Sequence, residues 1–212
     1  MNAPRGQCSK LPPGYYLGPP NLSPVLEVSR DLIQGCLKND RRAQFALYKL
    51  CYPPLMAVCL RYRSNQADAN SILNQAFLKI LDHLDQLGEE VPFLPWAKRI
   101  TINTLIDDFR KNRKVKELIA LSDKPGEDLE TAPVDYNEAE KQFDAEQLEA
   151  MVQQLPPVSA KVFNLFAIDG YNHAEIAALL DISEGTSRWH LSSARKKLKD
   201  MMSRAMGIYR AV

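Results

Sequence analysis

The chain has 212 residues, of which 45% are hydrophobic and 25% charged, values that are ordinary for a globular protein of one large or two small domains. No apolar run approaches the roughly 20 residues that a membrane-spanning helix needs, so no membrane insertion is expected. The formal net charge is +1, and neither a Gly-rich phosphate loop nor an HExxH or GxSxG pattern occurs, so the sequence predicts neither an enzyme nor a cofactor.

Residues 1–24 form a Pro- and Gly-rich stretch that lacks the apolar core of a signal peptide. This composition predicts a disordered arm and a cytoplasmic protein. The four cysteines, Cys8, Cys36, Cys51 and Cys59, form no CxxC pair and do not cluster with the three histidines. Reduced, partly buried thiols are therefore favoured over structural zinc or a disulfide framework.

The small net charge hides a strong partition along the chain. Residues 30–116 carry 15 basic and 9 acidic side chains, and residues 151–212 carry 8 basic and 5 acidic ones. Residues 117–150 between them carry 2 basic and 11 acidic side chains. The pattern is that of two basic segments joined by an acidic tether.

The segment 25–65 carries apolar residues mostly three or four positions apart, which predicts helices. Lys38-Asn39-Asp40 has the composition of a break between two of them. Pro53-Pro54 is expected to open or kink a third piece, because proline has no backbone N–H to donate.

A strongly amphipathic helix is predicted next, with Asp68 as its N-cap. A loop that contains Gly88, Pro92 and Pro95 is expected to follow it. The apolar face of this helix consists of Ile72, Leu73, Ala76, Phe77, Ile80, Leu81, Leu84 and Leu87.

The stretch WAKRITINTLIDDFRKNRK predicts another helix, which has two different sides. Its core side consists of Ile102, Leu105, Ile106 and Phe109. Its other side, termed the polar stripe, lies within about 80° at roughly 100° per residue and consists of Trp96, Arg99, Asn103, Asp107, Arg110 and Lys114.

A linker is expected from about 117 to 145, and three or four short helices after it, broken at Pro156-Pro157 and at Gly170. No strand alternation of useful length occurs anywhere in the chain. The sequence therefore predicts an all-α protein with two small helical domains joined by an acidic flexible linker.

Residues 173–198, HAEIAALLDISEGTSRWHLSSARKKL, follow the pattern of a helix-turn-helix, with a second helix from about Glu184. In that arrangement the second helix enters the major groove of DNA, and Ser183 is a good candidate for its N-cap. Trp189 could pack on thymine methyl groups or sugars, or it could instead cap the domain against the linker or a partner protein. The face expected to meet DNA, with its flanks and its phosphate-neutralising cations, is Thr186, Arg188, Trp189, His190, Ser193, Arg195, Lys196 and Lys197.

Over about residues 28–115 and 148–202, the chain resembles the extracytoplasmic-function (ECF) group of bacterial RNA polymerase sigma factors of the sigma-70 family. The likeness lies in a pattern F-x-x-W-x-x-x-I-x-x-N-x-x-x-D-x-x-R that is followed, in this order, by the helix-turn-helix. The ISEGTS turn looks most like versions from the Bacteroidetes. The pattern is occupied by Phe93, Trp96, Ile100, Asn103, Asp107 and Arg110.

This resemblance implies a first domain, residues 25–116, that binds the β′ clamp of polymerase and opens the minus-10 element. The second domain, residues 146–206, would contact the β flap and dock on the minus-35 element, with the acidic linker running toward the RNA exit path. An anti-sigma factor is implied as a further partner, and no catalytic site is expected. The residues implied to grip the minus-10 DNA are Trp96, Arg99, Asn103, Asp107, Arg110, Lys111 and Lys114.

The loop 85–95 matches the place where relatives hold a flipped base. Phe93 and Trp96 could instead be core aromatics that support this loop, and this structural interpretation is favoured because aromatics at helical spacing are mostly buried.

Polymerase binding is implied along DANSILNQAF, where relatives usually carry several acidic residues. This chain keeps Asp68 but has amides and a serine at most of the other polar positions. Binding would then depend more on apolar packing and amide hydrogen bonds than on charge-assisted ones. The residues expected to bind polymerase are Asp68, Leu73, Asn74, Gln75 and Phe77.

Two further departures lie in the helix-turn-helix. Asp181 stands where relatives have a turn glycine, and aspartate tolerates left-handed backbone better than most residues. Ser187 lies on the apolar side of the second helix, where valine is common, and is expected to cost some packing.

Two other functional classes remain open. A stand-alone helix-turn-helix regulator would bind duplex DNA without polymerase, usually as a dimer, although the sequence shows no long heptad seam. A sigma-like interaction protein would hold polymerase or an anti-sigma factor without opening DNA, and the scarcity of acids at 70–75 is compatible with it. A metal-dependent nuclease is disfavoured, because the adjacent Asp107 and Asp108 face different directions on a helix.

Overall fold

The structure is a computed structural model that describes residues 28–88, 90–117 and 145–205, with side chains described for all but 113–117 and 145–146. Within these ranges every regular element is helical, which confirms the all-α prediction. The predicted arm and Cys8, and most of the predicted linker, lie outside the described residues. The elements are α1 (Arg30–Leu37), α2 (Arg41–Tyr62), α3 (Gln66–Asp82), a 3₁₀ turn (Leu84–Gln86), α4 (Phe93–Glu117), α5 (Ala145–Gln153), α6 (Pro157–Phe163), a π turn (Asn164–Ile168), α7 (His173–Leu180) and α8 (Glu184–Ala205).

The predicted break between the first two helices is confirmed. Asn39 adopts a left-handed backbone with φ of 59°, which ends α1. Asp40 then caps α2, because its Oδ1 accepts a hydrogen bond from the backbone N–H of Arg42 at 2.8 Å. Residues other than glycine rarely adopt this left-handed backbone, but asparagine does so more often than most because its short polar side chain can form a local hydrogen bond.

The expectation that Pro53-Pro54 opens a new piece was wrong, because α2 runs through both prolines to Tyr62. Neither proline can donate the usual backbone hydrogen bond to the carbonyl four residues earlier. The helix persists because its buried side chains, Leu47 and Leu55 among them, pack against α3 and α4. Burial of such a side chain contributes roughly 1.5–3 kcal/mol.

Helix α3 begins earlier than predicted. Its N-cap is Asn65, whose Oδ1 accepts from the N–H of Ala67 at 2.8 Å, so the assignment of Asp68 as N-cap was wrong. Asp68 lies in the first turn, where the positive end of the helix dipole stabilises its negative charge.

The predicted apolar face is confirmed from Ile72 to Leu81, whose six residues are buried or partly buried. The helix ends at Asp82, earlier than predicted, so Leu84 belongs to the 3₁₀ turn and Leu87 follows it, although both still pack against the core.

Helix α4 also begins earlier, at Phe93, so Pro95 belongs to its first turn and not to the loop. Proline is tolerated there because the first N–H groups of a helix have no intrahelical acceptor. The predicted core side of α4 is confirmed: Ile102, Leu105 and Ile106 are buried, and Phe109 is partly buried against the same core.

Helices α5 to α8 form a second packed group in which α6 and α7 both pack against α8. The predicted breaks at Pro156-Pro157 and Gly170 are confirmed. Gly170 has φ of +77°, a region that side-chain-bearing residues rarely adopt. Asn172 and Glu175 close a capping box at the start of α7, which fixes where the helix-turn-helix begins.

The two helical groups touch each other directly. The end of α2 meets the segment between α6 and α7, where the Asp169 carboxylate accepts from Arg61 at 2.7 Å and from the Tyr62 hydroxyl at 2.6 Å. Asn164 Nδ2 also donates to the backbone carbonyl of Arg61 at 3.1 Å. These contacts join residues more than 100 positions apart in the chain.

Cys36, Cys51 and Cys59 are free, buried thiols, as predicted. Burial raises the pKa of Cys51 to about 12 and that of Cys59 to about 11, so both remain protonated at neutral pH. Among the described helices, none combines the length and the apolar character required to cross a membrane.

Candidate nucleic-acid interface

The turn of the helix-turn-helix is built from two local hydrogen-bonding devices. Asp181 ends α7 with φ of 57° and ψ of 52°, which is the left-handed geometry predicted for this position. Ser183 Oγ accepts from the backbone N–H of Thr186 at 3.0 Å, as predicted for the N-cap. Its hydroxyl also lies 2.8 Å from Thr186 Oγ1, so Thr186 is held at the start of the helix.

The inner side of α8 is not purely apolar. Ser187 is completely buried, and its Oγ lies 2.9 Å from Nδ1 of His173, the first residue of α7. The His173 ring stacks on Phe166 with centroids 4.7 Å apart. Ser187 therefore replaces apolar packing with a hydrogen bond between the two helices, a compensation that the sequence alone did not reveal.

The protonation state of His173 is set by its surroundings. Burial, followed by the positive charges of Arg188 and Arg195, lowers the pKa of His173, while Glu184 opposes the shift. The ring is therefore neutral at pH 7, where its unprotonated nitrogen is available as an acceptor.

His190 and Arg195 also face inward in part. His190 Nδ1 lies 3.0 Å from Oγ of the buried Ser159 in α6. The Arg195 guanidinium lies over the Phe166 ring at 5.7 Å. His190 was predicted to flank the DNA-facing surface and Arg195 to neutralise phosphates, and the structure places both in contacts that hold α8 against its own domain.

The outer side of α8 carries the exposed cations. Lys196 and Lys197 are exposed, and Ser193 is half-buried beside them. Arg188 is exposed and pairs with Glu184 one turn earlier at 2.9 Å. Exposed pairs of this kind are worth less than about 1 kcal/mol, so Arg188 can exchange Glu184 for a phosphate at little cost.

Trp189 lies between these two sides. Its ring is half-buried and meets His190 edge-on, with centroids 4.9 Å apart. The indole Nε1 is buried, and among the described residues no acceptor lies within hydrogen-bond distance of it. Part of Trp189 is therefore committed to its own domain, and only the remaining part of the ring can meet another molecule.

The polar stripe of α4 is less exposed than the sequence predicted. Trp96 is only 8% exposed and packs against Phe93 with centroids 5.9 Å apart, in agreement with the core interpretation of both aromatics. A direct grip of Trp96 on DNA, as predicted for the minus-10 surface, is contradicted by this burial. Arg99 lies with its guanidinium over the Tyr171 ring at 5.7 Å, and Asn103 is half-buried.

Ion pairs shape the second half of the stripe. Asp107 is exposed and lies 3.5 Å from Lys79 of α3, while Asp108 pairs with Arg63 at the end of α2. Because both carboxylates are paired with cations, the positive charge at the C-terminal end of the polar stripe comes from other residues. These are Arg110, half-buried, and Lys111, exposed; the side chain of Lys114 lies outside the described residues.

The predicted polymerase-binding residues divide into two sets. Asp68, Asn74 and Gln75 are exposed on α3. Leu73 and Phe77 are only 1% and 7% exposed, so the prediction that they contact polymerase directly is contradicted by their place in the core. Both belong to the apolar face of α3, and any surface on this helix must be formed by its other side.

A row of tyrosines supports the exposed side of α3. The Tyr48 hydroxyl donates to Asn74 Oδ1, and the Tyr52 hydroxyl donates to Asn70 Oδ1, both at 2.9 Å. The amide side chains of Asn70 and Asn74 are thus oriented by hydrogen bonds from α2. Tyr48 in turn meets the Phe77 ring edge-on at 5.0 Å, which links this surface to the core.

Two exposed apolar residues beside these amides were missed. Phe45 is 60% exposed and Leu78 is 61% exposed, and Lys49 Nζ lies 4.8 Å from the centre of the Phe45 ring. The exposure of Leu78 could have been predicted from the sequence, because this residue lies one position beyond the buried face of α3. Phe45 gave no such signal, because α2 is apolar around most of its circumference.

No group of three or more His, Cys, Asp or Glu side chains among the described residues is arranged to hold a metal ion. The predicted site residues therefore fall into three surfaces: the outer side of α8, the polar stripe of α4 and the amide-bearing side of α3. All three are suited to binding macromolecules through hydrogen bonds and charge.

Comparison with known proteins places these surfaces in a family. Residues 47–115 match the family model of sigma-70 region 2, and residues 145–198 match that of sigma-70 region 4. Together the two matches include more than half of the chain and contain all three surfaces.

Curated relatives agree with this assignment. The chain is 28% identical over 172 residues to a probable RNA polymerase sigma factor, RfaY, of Xanthomonas campestris, covering 78% of this chain and 41% of that protein. It is 26% identical to the ECF RNA polymerase sigma factor SigE of Mycolicibacterium smegmatis, covering 74% of this chain and 58% of that protein. It is 25% identical to the RNA polymerase sigma-H factor of Pseudomonas aeruginosa, covering 81% of this chain and 92% of that protein.

The chain thus spans about half the length of the first two relatives and nearly all of the third. The two family models occur in the order that the sequence predicts, and each matches helices that carry a predicted surface. Both therefore support the same family. The chain belongs to the sigma-70 family of RNA polymerase sigma factors.

Proposed function

We propose that this protein is a sigma factor that binds bacterial core RNA polymerase and directs promoter recognition, DNA opening and transcription initiation, without a catalytic site of its own. One observation carries the proposal: a region 2 unit and a region 4 helix-turn-helix with exposed lysines on its outer side occur in one chain. A stand-alone regulator would need only the second of these.

The two units divide the work. Residues 25–116 bind the β′ clamp through the exposed side of α3 and act on the minus-10 element through the polar stripe of α4. Residues 146–206 contact the β flap and bind the minus-35 element through the outer side of α8. Lys196 and Lys197 neutralise phosphates, while Thr186 and Ser193 are placed to meet base edges.

At the polymerase surface, amides and apolar side chains substitute for acids. Asn70 and Asn74 are oriented by tyrosine hydroxyls, so their amide groups are available for directed hydrogen bonds to the clamp. Phe45 and Leu78 add exposed apolar area beside them. Asp68 and Gln75 complete the polar part of the surface.

The proposal extends to the setting in which the protein acts. It works in the cytoplasm, where the polymerase is, and an anti-sigma factor holds it inactive until a signal arrives. The ISEGTS turn supports a place among the Bacteroidetes versions of the family, which a phylogeny of region 4 sequences would test.

The experiment that tests the function is reconstitution with bacterial core RNA polymerase. We expect the full chain to co-elute with core enzyme and to support promoter-selective transcripts that depend on added protein. Co-elution without selective transcripts from a library of promoter fragments would favour the sigma-like interaction protein. Tight binding of duplex DNA with no co-elution would favour the stand-alone regulator.

A further inference from the structure

Two tyrosines of α2 fix the orientation of two amide side chains of α3. The Tyr48 hydroxyl donates to Asn74 Oδ1 and the Tyr52 hydroxyl donates to Asn70 Oδ1, both at 2.9 Å. Residues four positions apart lie on the same side of a helix, one turn from each other. The four side chains therefore form a row along the groove between the two antiparallel helices, termed the amide row.

The tyrosine rings are themselves held in place. Tyr48 meets Phe77 edge-on with centroids 5.0 Å apart, and the Tyr48 and Tyr52 rings are tilted against each other at 5.8 Å. Phe77 is only 7% exposed, so this contact ties the row to the core. Burial, followed by the proximity of Tyr52, raises the pKa of Tyr48. The Tyr48 hydroxyl therefore keeps its proton at neutral pH and acts as a donor to the amide oxygen.

The tyrosine bonds give each amide a defined polarity. An asparagine amide accepts hydrogen bonds at Oδ1 and donates two N–H groups at Nδ2. Since Oδ1 of both Asn70 and Asn74 faces a tyrosine, Nδ2 is turned away from α2. Neither Nδ2 is buried, and neither has an acceptor among the described residues. The amide row thus presents donors to an approaching molecule.

The terminal torsion of asparagine would not hold this polarity by itself. That torsion is broad and roughly two-fold, so a free amide presents its oxygen and its nitrogen with similar ease. A hydroxyl that donates from a fixed ring selects one of the two orientations. The orientation of Asn74 therefore depends on the hydroxyl of Tyr48, and that of Asn70 on the hydroxyl of Tyr52.

The surroundings of the amide row do not reverse its character. Gln75 Nε2 donates to Ser71 Oγ at 3.5 Å, which leaves the Ser71 hydroxyl proton free as a donor and Gln75 Oε1 free as an acceptor. No carboxylate occurs in α3 between Asp68 and Asp82. Lys49 is exposed on α2 and adds positive charge. The α3 surface is consequently rich in donors and poor in anions.

An apolar pair continues the amide row at one end. Phe45 lies three positions before Tyr48, and Leu78 lies four positions after Asn74, so both follow the same antiparallel register. Their exposed fractions are 60% and 61%. A partner that covers this pair excludes water beside the amides, and hydrogen bonds are stronger where the local dielectric constant is low.

We propose that Tyr48 and Tyr52 are positioning residues of the polymerase-binding surface, which turn the N–H groups of Asn74 and Asn70 toward the polymerase. The polymerase surface that fits this row presents acceptor oxygens beside an apolar side chain. This inference rests on the proposed function and adds the polarity of the contact. It makes the outward Nδ2 of Asn74, rather than its oxygen, the atom that polymerase recognises.

Asn74→Asp tests the polarity, because aspartate has nearly the same shape and can still accept from Tyr48 but cannot donate. We expect it to weaken binding of the full-length chain to bacterial core RNA polymerase by about tenfold or more, since the polymerase acceptor is left unpaired beside a carboxylate. Gln34→Glu is the matched control, because it makes the same amide-to-acid change at an exposed position of α1. The control should bind like the wild type.

Tyr48→Phe tests the positioning role, because it removes only the hydroxyl. We expect it to weaken polymerase binding about three- to fivefold, as the amide of Asn74 becomes free to turn. In the Asn74→Ala background the same substitution should have no further effect, since no amide remains to be oriented. A merely structural role of the hydroxyl would give the same loss in both backgrounds. Circular dichroism should report unchanged helix content for every variant.

The outcomes separate this inference from the function on which it rests. If the wild type binds polymerase and Asn74→Asp binds equally well or more tightly, the proposed polarity is overturned and the function stands. A loss on Tyr48→Phe that persists in the Asn74→Ala background would overturn the positioning role. Failure of the wild type itself to bind polymerase would overturn the proposed function and this inference together.

Discussion

At the scale of single residues, the outer side of α8 owes its charge to a few exposed lysines. Lys196→Ala should weaken binding to the minus-35 element several-fold and leave polymerase binding unchanged, because it removes a phosphate contact and no packing. The reconstituted enzyme should also show a shallower salt dependence, by about one unit of slope.

Lys199→Ala is the matched control for this variant. Lys199 is also exposed on α8, but it lies about 4.5 Å further along the axis and outside the predicted face. Equal losses of promoter affinity for the two variants would contradict the assignment of the face.

His173 gives the helix-turn-helix a predictable response to acid. Because burial and two arginines lower its pKa in the folded chain, the unfolded chain binds the proton more tightly. Its contribution to stability is therefore complete above about pH 6.5 and is lost as the pH falls toward its lowered pKa.

His173→Asn should consequently flatten the pH dependence of thermal unfolding between about pH 7 and 5. Asparagine keeps a polar atom near the position of Nδ1, so the partner of Ser187 is not simply deleted. Direct titration of the His173 ring by NMR provides the check, and a pKa above that of a model histidine would refute the argument.

At the scale of whole elements, α2 shows how packing overrides local preference. Two consecutive prolines lie in its interior, yet the helix continues because both ends are held by buried side chains. Pro53 itself is exposed, so its ring adds little to the core packing that offsets the destabilising effect of the prolines.

Pro53→Ala should therefore stabilise the chain, by about 1–3 kcal/mol, by restoring a backbone hydrogen bond and removing a steric clash. Pro157→Ala is the control, since Pro157 is exposed at the first position of α6, where proline is already favourable. Denaturant unfolding of both variants measures the difference. A Pro53→Ala variant no more stable than the control would show that the helix has relaxed around its prolines.

At the scale of the whole molecule, DNA opening requires region 2 to act on polymerase and promoter together. Asn103→Ala with Arg110→Ala should impair opening of the minus-10 element more than binding of polymerase, because both residues lie on the polar stripe and off the α3 surface. Permanganate reactivity of the melted strand measures the opening.

Lys98→Ala serves as the control for that double variant. Lys98 lies on α4 about 140° around the helix from Asn103, counting about 100° per residue. Equal permanganate reactivity in the double variant and the control would count against the stripe as the melting surface.

Much of this fold could be predicted because its signals are local. Ser183 and Asp181 marked the turn of the helix-turn-helix, since capping and left-handed geometry depend on the residue and its neighbours. The start of α3 was misplaced by three residues because Asn65 and Asp68 are equally good caps. Local chemistry does not choose between them.

The rest depended on contacts that no local pattern records. The side-chain spacing of α4 placed Arg99 on the outer stripe, and its contact with the ring of Tyr171 depends on a helical group that lies far along the chain. The ion pair between Arg61 and Asp169 links residues 108 positions apart. Neither side chain carries a mark in the sequence that identifies the other as its partner.

The polar tie points of α8 have a consequence for promoter choice. Apolar side chains alone would allow a helix to roll on its support, whereas the directed bonds Ser187–His173 and His190–Ser159 fix its rotation about its own axis. An exposed position on the opposite side, such as Lys196, about 180° around the helix from Ser187 at about 100° per residue, can therefore change without altering how the helix is presented. The rotation of the recognition helix is thus fixed while its exposed side chains can vary, and this combination allows sigma factors for new promoters to be selected.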